Sequence, residues 1–406
     1  MRLLFGLIFI DLLGFGIIVP LLPFMALRLE AGPKEVTYLV ATYSAALLLA
    51  MPVWGRLSDR IGRKPVLLLA FAGTGTAFVI MAFADHLWML FVARGLAGLL
   101  SGDMAAAPAY VADITPENRR AKSLGILGAA FGLAFTIGPG IGATLVGTAP
   151  DAEAFRTIPL ISAGLSLTAL VLGAIFLPES LKRRREQSVR AGERFAAIWQ
   201  FSAFRFPHMG VIIATVFLIS AGFSAMEATL PLWSEAKLGW GPREVGYLFV
   251  FAGLVAVICQ GGLVGPLTRR LGEARLLIVA AVLLLFGMGA IAIADDLGLL
   301  LAGVGALAAG FGFGNPALQS LVTRLSAADA TGGALGIAQS TSSIARVIGP
   351  PGAGLLFELQ GPSSPYLAGS GLMAGVVAIS LVLAARLRGE PALAETLNEA
   401  LSGDEV

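Results

Sequence analysis

Residues 55–68 read GRLSDRIGRKPVLL and place five charged side chains between two long apolar runs. The runs cover residues 37–54 and 65–84. Each is close to the ~20 residues with which a helix crosses the hydrocarbon core of a bilayer. The stretch is therefore interpreted as a compact charged loop that connects two membrane-spanning helices.

The composition of the whole chain agrees with this interpretation. Of its 406 residues, 57% are hydrophobic and 13% are charged, and the mean hydropathy is +0.84. This balance lies outside that of ordinary soluble domains. Residues 1–24 resemble a secretory signal peptide, but their apolar run is too long and no small-residue cleavage site follows. We therefore predict that they form the first span.

Cutting the chain at its charged or Pro/Gly-rich breaks gives twelve segments of spanning length. The sequence thus predicts an all-α integral membrane protein with twelve transmembrane helices. The predicted spans are residues 3–27, 37–54, 65–84, 87–112, 123–146, 157–177, 209–233, 245–263, 276–294, 297–322, 333–357 and 366–385.

The second half of the chain repeats features of the first at a constant spacing. Pro20 corresponds to Pro231 and Gly138 to Gly349, and GRLSDRIG recurs as GPLTRRLG. Parallel repeats of this kind are typical of transporters with a central site. We predict two pseudo-symmetric six-helix halves, residues 1–178 and 207–387, joined by a cytoplasmic linker at 179–206 and followed by a cytoplasmic tail at 388–406.

Basic residues are strongly biased to one side of the predicted spans, and this bias sets the orientation in the membrane. The other side carries only Arg28, Lys34, Arg156, Lys237 and Arg243. We expect a multi-pass protein of the inner (cytoplasmic) membrane with both termini in the cytoplasm. Judged by this bias alone, the charged residues at 56–64 serve to fix the orientation of the protein in the membrane.

Two further motifs accompany GRLSDRIGRKP: RGLAGLLSG at 94–102 and GAAFGLAFTIGPGIG at 128–142. Together they resemble the signature loop, the arginine-bearing fourth helix and the glycine-proline fifth helix of the major facilitator superfamily. Within it, the chain is similar to the proton-coupled drug antiporters related to the tetracycline efflux proteins. The resemblance covers the first half and, more weakly, the second. It implies the two-half fold and export of a small compound against protons.

For the charged loop, the resemblance implies a conformational gate formed by Gly55, Asp59, Arg60, Gly62 and Arg63. Asp59 and Arg60 would latch the cytoplasmic ends of the two halves together. Gly55 and Gly62 would let helix backbones approach closely, since neither carries a side chain. The alternative is that the charges anchor the topology and do nothing more.

The fifth span contains two pairs of glycines that can each form a close helix contact. Gly128 and Gly132 are one pair, Gly138 and Gly142 are the other, and Pro139 allows a bend. The resemblance assigns this helix to antiport. Ordinary glycine-rich packing is the alternative, because the chain has 51 glycines.

Five ionisable residues lie inside the predicted spans: Asp11, Arg94, Asp103, Glu227 and Arg346. Such residues are expensive in a bilayer unless they face water or a partner, so each is a functional candidate. Counting along the helices puts Asp11 and Asp103 at similar depths, which predicts that mutual repulsion favours a proton on one of them. The resemblance assigns proton coupling to Asp11 with help from Arg94, although the depth count does not support direct contact between them. Glu227 is either a ligand for a cation or proton, or an interfacial glutamate.

The stretch AQSTSSIARVIGPP is too polar to face lipid, so Gln339, Ser340, Ser343 and Arg346 are predicted to line a substrate cavity. Asn315 and Gln319 of the tenth span are expected to join them. The chain departs from the tetracycline exporters at Ala77, where they carry an acid in the third span, and this leaves the cargo open.

The sequence therefore predicts a monomeric antiporter that exports a small amphipathic compound, such as a drug, with protons as the coupling ion and no other cofactor. The bilayer and a small-molecule substrate are its expected partners, and nucleic acid is not. His86, His208 and Cys259 do not form a convincing metal or nucleophile site, so we do not expect an enzyme. The alternative is proton-coupled uptake of an organic anion, with Arg346 as the partner of that anion.

Overall fold

The computed structural model describes residues 1–147, 152–181, 208–326 and 331–402. Within these ranges every regular element is a helix, and there is no β-strand. The predicted fold class is confirmed. The basic run at 182–185 and most of the predicted linker lie outside the described residues, and the division into two halves stays a prediction.

Fifteen α-helices are described, with a 3₁₀ turn at Glu117–Arg119 and a π-helical turn at Cys259–Leu263. The α-helices are α1 (Arg2–Ile18), α2 (Leu22–Arg28), α3 (Pro33–Ile61), α4 (Arg63–Ala82), α5 (Leu87–Leu100), α6 (Asp103–Ile114), α7 (Arg120–Val146), α8 (Ala152–Phe176), α9 (Met209–Leu238), α10 (Pro242–Ile258), α11 (Val264–Leu271), α12 (Glu273–Ala292), α13 (Leu297–Leu325), α14 (Thr331–Gln360) and α15 (Ser364–Ser402).

The helices account for the predicted spans. Among the described residues, ten helical segments are long and apolar enough to cross a membrane, and the pair α1 and α2, bent by 41°, makes an eleventh if counted as one span. The remaining predicted span corresponds to α14, a 30-residue helix that contains the polar AQSTSSIAR stretch. The first span is interrupted beside Pro20, which has no backbone N–H to donate to a helix.

The predicted charged loop is shorter in the structure than in the sequence analysis. Helix α3 continues through residues 55–61, so the loop prediction is wrong for them. The turn is Gly62 alone, whose φ of +110° lies in a region that favours glycine. Gly55 has no atom within 4 Å of the position of an added Cβ, so the close backbone approach predicted there is also wrong.

The repeat of this stretch in the second half of the chain, GPLTRRLG, makes the same turn. Gly272 ends α11 and precedes α12, with φ +75° and ψ 163° against +110° and 161° at Gly62. The sequence repeat is thus reproduced in backbone conformation. We call the end of the first-half helices at Gly62 the turn end, and the opposite end the distal end.

The contacts divide the described residues into two compact units. The first comprises Met1–Val189, Phe223–Val257 and Ser343–Pro365, and the second comprises Arg190–Gly222, Ile258–Ser342 and Tyr366–Val406, counting only described residues. The first unit contains α1 to α8 with parts of α9, α10 and α14. In the second unit, α12 and α13 are closely packed, with Gly287 and Gly310 at their contact.

The first unit is built around a glycine-mediated contact between α1 and α7. A Cβ added to Gly138 would lie 2.7 Å from the carbonyl carbon of Gly16, and one added to Gly142 would lie 2.7 Å from the carbonyl oxygen of Ile17. By contrast, Gly128 and Gly132 have nothing within 4 Å. The prediction of close packing is therefore right for the second glycine pair of this helix and wrong for the first.

We expect Gly138→Ala to lower the midpoint of thermal unfolding of the purified protein in detergent. The added methyl group meets backbone atoms that cannot rotate away, and overpacking of this kind costs about 1–3 kcal/mol. Gly132→Ala on the same helix is the matched control. Because space is open there and alanine is the better helix former, its midpoint should stay the same or rise. Equal losses in the two variants would contradict this account of the contact.

Candidate functional site

Two carboxylates are buried together in the first unit. Asp11 lies in the middle of α1 and Asp103 in the first turn of α6, and each residue is 4% exposed. The Ser166 hydroxyl donates a 2.6 Å hydrogen bond to Asp11 Oδ1. The charge of Asp103 acts electrostatically on Asp11. Like charges in a dry environment repel, so a proton on either acid lowers the energy of the pair.

Asp103 owes its position to a break in the fourth span. The predicted span 87–112 is divided at Ser101 and Gly102 into α5 and α6, and Asp103 stands at the N-terminus of α6. The positive end of a helix dipole favours an anion at this place. The break itself was missed by the sequence analysis. Gly102 is its only sequence signal, and a Cβ there would lie 2.8 Å from Val66.

Arg94 is 5% exposed in α5, and its guanidinium lies over two aromatic rings. The guanidinium carbon is 4.5 Å from the ring centre of Tyr43 and 5.3 Å from that of Phe15. Within the described residues, the Arg94 Nε atom has no hydrogen-bond partner, and Arg94 forms no ion pair with Asp11 or Asp103. The depth count, which did not support direct contact, agrees with this geometry.

The aromatic rings around Arg94 form a continuous cluster that sequence reasoning missed. The Phe15 ring is 5.2 Å from Tyr43 and 5.7 Å from Phe135. The hydroxyls of Tyr43 and Ser101 lie 3.2 Å apart, so the cluster reaches the break that precedes Asp103. We call Phe15, Tyr43, Arg94 and Phe135 the aromatic cluster. Only tertiary packing gathers these residues, which belong to four helices.

Glu227 is half-buried in α9 and interacts electrostatically with Arg94. The acid of the seventh span thus lies in the same unit as the aromatic cluster. A carboxylate near a cation that lies over aromatic rings gives this region both signs of charge against an apolar wall. Such a mixture suits a flat amphipathic ligand.

The predicted cavity residues of the last spans are only partly brought together. Gln319 Nε2 donates a 3.1 Å hydrogen bond to Asn315 Oδ1 on α13 in the second unit. On α14, Gln339 and Ser340 fall in the second unit, whereas Ser343 and Arg346 fall in the first. Asn315, Gln319, Gln339, Ser340 and Arg346 are exposed, and Ser343 is half-buried. Their predicted contact with a substrate stays a prediction.

The charged turn is held by Arg63. Its side chain is only 10% exposed and bridges two carboxylates, with Nη1 2.6 Å from Asp59 Oδ1 and Nε 3.1 Å from Asp113 Oδ2. Nη1 also donates to the Ser58 hydroxyl at 2.8 Å. The arginine therefore ties the end of α3, the start of α4 and the end of α6 into one cluster.

Glu179 completes this cluster and was also missed. Its carboxylate accepts hydrogen bonds from the backbone N–H groups of Arg63 at 2.9 Å and Lys64 at 3.2 Å, which are orphan donors at the start of α4. The Ser180 hydroxyl donates to Asp113 at 3.1 Å. The sequence PES at residues 178–180, directly after an apolar run, is the signal that could have pointed to Glu179. Arg60, in contrast, is exposed, and the latch that Asp59 and Arg60 would form between the two halves stays a prediction.

The sequence of this chain matches a known protein family. Residues 4–314 and 261–402 match the family profile described as Major Facilitator Superfamily. The chain belongs to the major facilitator superfamily. The fold is that of a membrane transporter.

Two relatives and one solved structure illustrate the place of this major facilitator protein. It is 31% identical to the class C tetracycline resistance protein of Escherichia coli, over 85% of this chain and 86% of that one. It is 29% identical to Multidrug resistance protein 2 of Bacillus subtilis, over 87% of each chain. The structure of the human organic anion transporter MFSD10 (TETRAN) has a TM-score of 0.68 at 23% identity, covering 93% of this chain and 98% of that chain. Because the identity to this structure is only 23%, the likeness supports the fold and not the function.

At the distal end of this major facilitator protein, helices of the first six spans contact α10 and α14 within the first unit. Lys34 Nζ on α3 lies 3.0 Å from Glu358 Oε1 on α14, and an added Cβ at Gly354 would overlap the Thr37 side chain. Helix α7 meets α10 at Gly246 and Gly253, where an added Cβ would lie 2.8 Å from the Pro139 oxygen and 2.6 Å from Thr136 Oγ1. These contacts join α3 to α14 and α7 to α10 within the first unit.

We expect Arg63→Ala to destabilise the protein by about 1–3 kcal/mol, because two carboxylates lose their counter-cation and hydrogen bonds. The measurement is thermal unfolding in detergent.

Arg60→Ala is the control, since it removes an exposed arginine three residues away and should change stability by less than about 0.5 kcal/mol. A larger loss for Arg60→Ala than for Arg63→Ala would contradict the assignment of the turn to Arg63.

Proposed function

We propose that this protein is a proton-coupled antiporter that exports a small amphipathic compound by alternating access. The observation that carries the proposal is the buried pair of Asp11 and Asp103 in the unit that also holds the aromatic cluster. Buried acids that repel one another are suited to bind and release a proton, and the aromatic rings of the same unit offer a surface for cargo.

Protonation of the acid pair would couple to cargo through the two conformations. A proton on Asp11 or Asp103 removes a charge that cargo binding requires, so cargo leaves on the outer side and the protonated protein returns. Loss of the proton to the cytoplasm restores affinity for cargo. Exchange requires that the proton and the cargo favour different states, since a ligand shifts an equilibrium only by its difference in affinity.

The chemistry of the cluster and the names of the relatives support the same cargo class. Relatives of this chain are tetracycline and multidrug resistance proteins. Phe15, Tyr43 and Phe135 present ring faces, and Arg94 and Glu227 supply opposite charges. A compound with a flat apolar body and a polar edge would match both. We include tetracycline among the candidates.

The charged groups at the two ends have different proposed roles. Arg63 and its carboxylates would strengthen the cytoplasmic end, and Lys34 with Glu358 would hold the outer end closed. The second pair is 40% and 36% exposed, so it is weak enough to break in each cycle.

For the cellular setting, we propose the inner membrane with both termini in the cytoplasm. The basic residues at the turn end support this orientation. We further propose that the protein acts as a monomer with the proton as its coupling ion and needs no other cofactor.

We expect compound-dependent proton release from acidic everted vesicles that contain the wild-type protein, and little or none with Asp11→Asn. The substitution keeps the size of the side chain but removes the titrating group, so cargo can no longer displace a proton. A pH-sensitive dye follows the exchange, with a panel of lipophilic compounds that includes tetracycline with magnesium.

Asp295→Asn is the control, because Asp295 is an exposed acid outside the site. Its exchange should match the wild type. Undiminished exchange in folded, inserted Asp11→Asn would remove Asp11 from the mechanism.

Proton-coupled uptake of an organic anion is the second candidate, and the exposed Arg346 on α14 is the observation that favours it. The direction of flux separates the two functions. If protons and an anionic compound move in the same direction in the vesicles, uptake replaces export.

We expect Lys34→Glu to open the outer end and Lys34→Glu with Glu358→Lys to restore its closure. The readout is labelling of Thr37→Cys by a membrane-impermeant maleimide in intact cells, in a Cys259→Ser background. Labelling should rise about two- to fivefold in the single variant, in keeping with the strength of an exposed ion pair. Lys237→Glu is the charge-matched control, and equal labelling in it would contradict a specific role for the ion pair.

A further inference from the structure

A cavity of about 510 Å³ lies at the distal end of the first unit, away from the buried acids. Its walls come from the end of α2, the residues that follow α4 and the start of α8. This volume falls within the ~300–1,000 Å³ of pockets that bind small molecules. Neither proton exchange nor the aromatic cluster uses it.

Two arginines of the cavity wall are each held against a phenyl ring. The guanidinium carbon of Arg28 is 5.3 Å from the ring centre of Phe155, and that of Arg156 is 4.3 Å from the ring centre of Phe83. A ring that covers the face of a guanidinium leaves the N–H groups at its edge free to bind an oxyanion. Both arginines line the same cavity, so they present a site for one doubly contacted anion such as a phosphate.

Asp85 is the only acid that lines the cavity among the described residues, and it adds an anionic group beside the two cations. None of the ion pairs formed among the described residues involves Arg28, Arg156 or Asp85. The wall therefore offers two sites for oxyanion hydrogen bonds and one for a cation. A ligand that carries a phosphate and an ammonium group a few bonds apart satisfies both.

The remainder of the wall is apolar, with Met25 at 6% and Met81 at 1% exposure and Leu29 half-buried beside them. The cavity also lies where α2 and α4 end and α8 begins, which is the level of lipid head groups for helices that span a bilayer. An amphiphile with a charged head and apolar chains fits this combination better than a free polar metabolite does.

We propose that this cavity binds the head group of a phosphatidylethanolamine lipid. Arg28 and Arg156 hold the phosphodiester, Asp85 accepts hydrogen bonds from the ammonium group, and the start of the acyl chains lies along Met25, Leu29 and Met81. Phosphatidylcholine has no N–H donor on its ammonium group, and phosphatidylglycerol has only neutral hydroxyl donors, so neither offers Asp85 a charge-assisted hydrogen bond.

The test is native mass spectrometry of the full-length protein in detergent with these three lipids at matched acyl chains, each in competition with the others. The wild type should retain phosphatidylethanolamine preferentially. Arg28→Gln with Arg156→Gln should weaken its binding by about tenfold or more, because two charge-assisted contacts are lost. Asp85→Asn should instead reduce the preference over phosphatidylglycerol while phosphate binding persists. Two different responses keep the test decisive even if one variant is poorly folded.

Arg243→Gln is the matched control. Arg243 also lies over an aromatic ring, Tyr247, at 5.8 Å, but does not line the cavity, so lipid retention should equal that of the wild type. The comparison separates the cavity from lipids bound elsewhere. Unchanged selectivity in both cavity variants would overturn the proposal. Displacement of the lipid by soluble glycerophosphoethanolamine at equal concentration would overturn the lipid assignment in favour of a free phosphate ester.

Discussion

The backbone contact between α1 and α7 is the constraint on which the rest of the first unit depends. Gly16 and Gly138 meet with no side chain between them, and the neighbouring Phe15 is thereby brought against Phe135 and under Arg94. One turn earlier on the same helix, Asp11 is directed to Ser166. A side chain at either glycine would separate the helices, because interiors are close-packed and do not yield by an ångström without cost.

The charged side chains of the first unit differ in how their charges are compensated. The difference corresponds to their position along the helices. At the turn end, Arg63 is nearly buried and is fixed by Asp59, Asp113 and Ser58, so its geometry is over-determined. At the distal end, Lys34 and Glu358 are partly hydrated, and their pairing is cheap to break. Between the ends, Asp11 and Asp103 are buried without a cation of their own among the described ion pairs. The first arrangement is suited to holding structure, the second to opening and the third to exchanging a proton.

Individual residues show how far the sequence can be read and where it stops. The turn lies within the predicted stretch, but residues 55–61 are helical, because residues 56–61 contain neither proline nor glycine and α3 continues through Gly55. The depth count placed Asp11 and Asp103 level, since helical rise is fixed. It could not foresee the break before Asp103, nor that Glu179, more than a hundred residues downstream, closes the start of α4. Gly128 and Gly132 carry the same pattern as Gly138 and Gly142, yet only the latter meet a partner.

By itself, the sequence determined the all-helical membrane fold, the family and the acids worth testing. Composition, span length and local motifs act along the chain, and the energetic cost of charge in lipid marks Asp11, Arg94, Asp103 and Glu227 without any knowledge of their neighbours. The tertiary structure alone decided which side chains meet. The aromatic cluster, the Arg63 bridge and the two-arginine cavity each join residues of separate helices. Such contacts depend on how helices rotate and approach one another, and this is set by packing across the whole unit rather than by any local stretch.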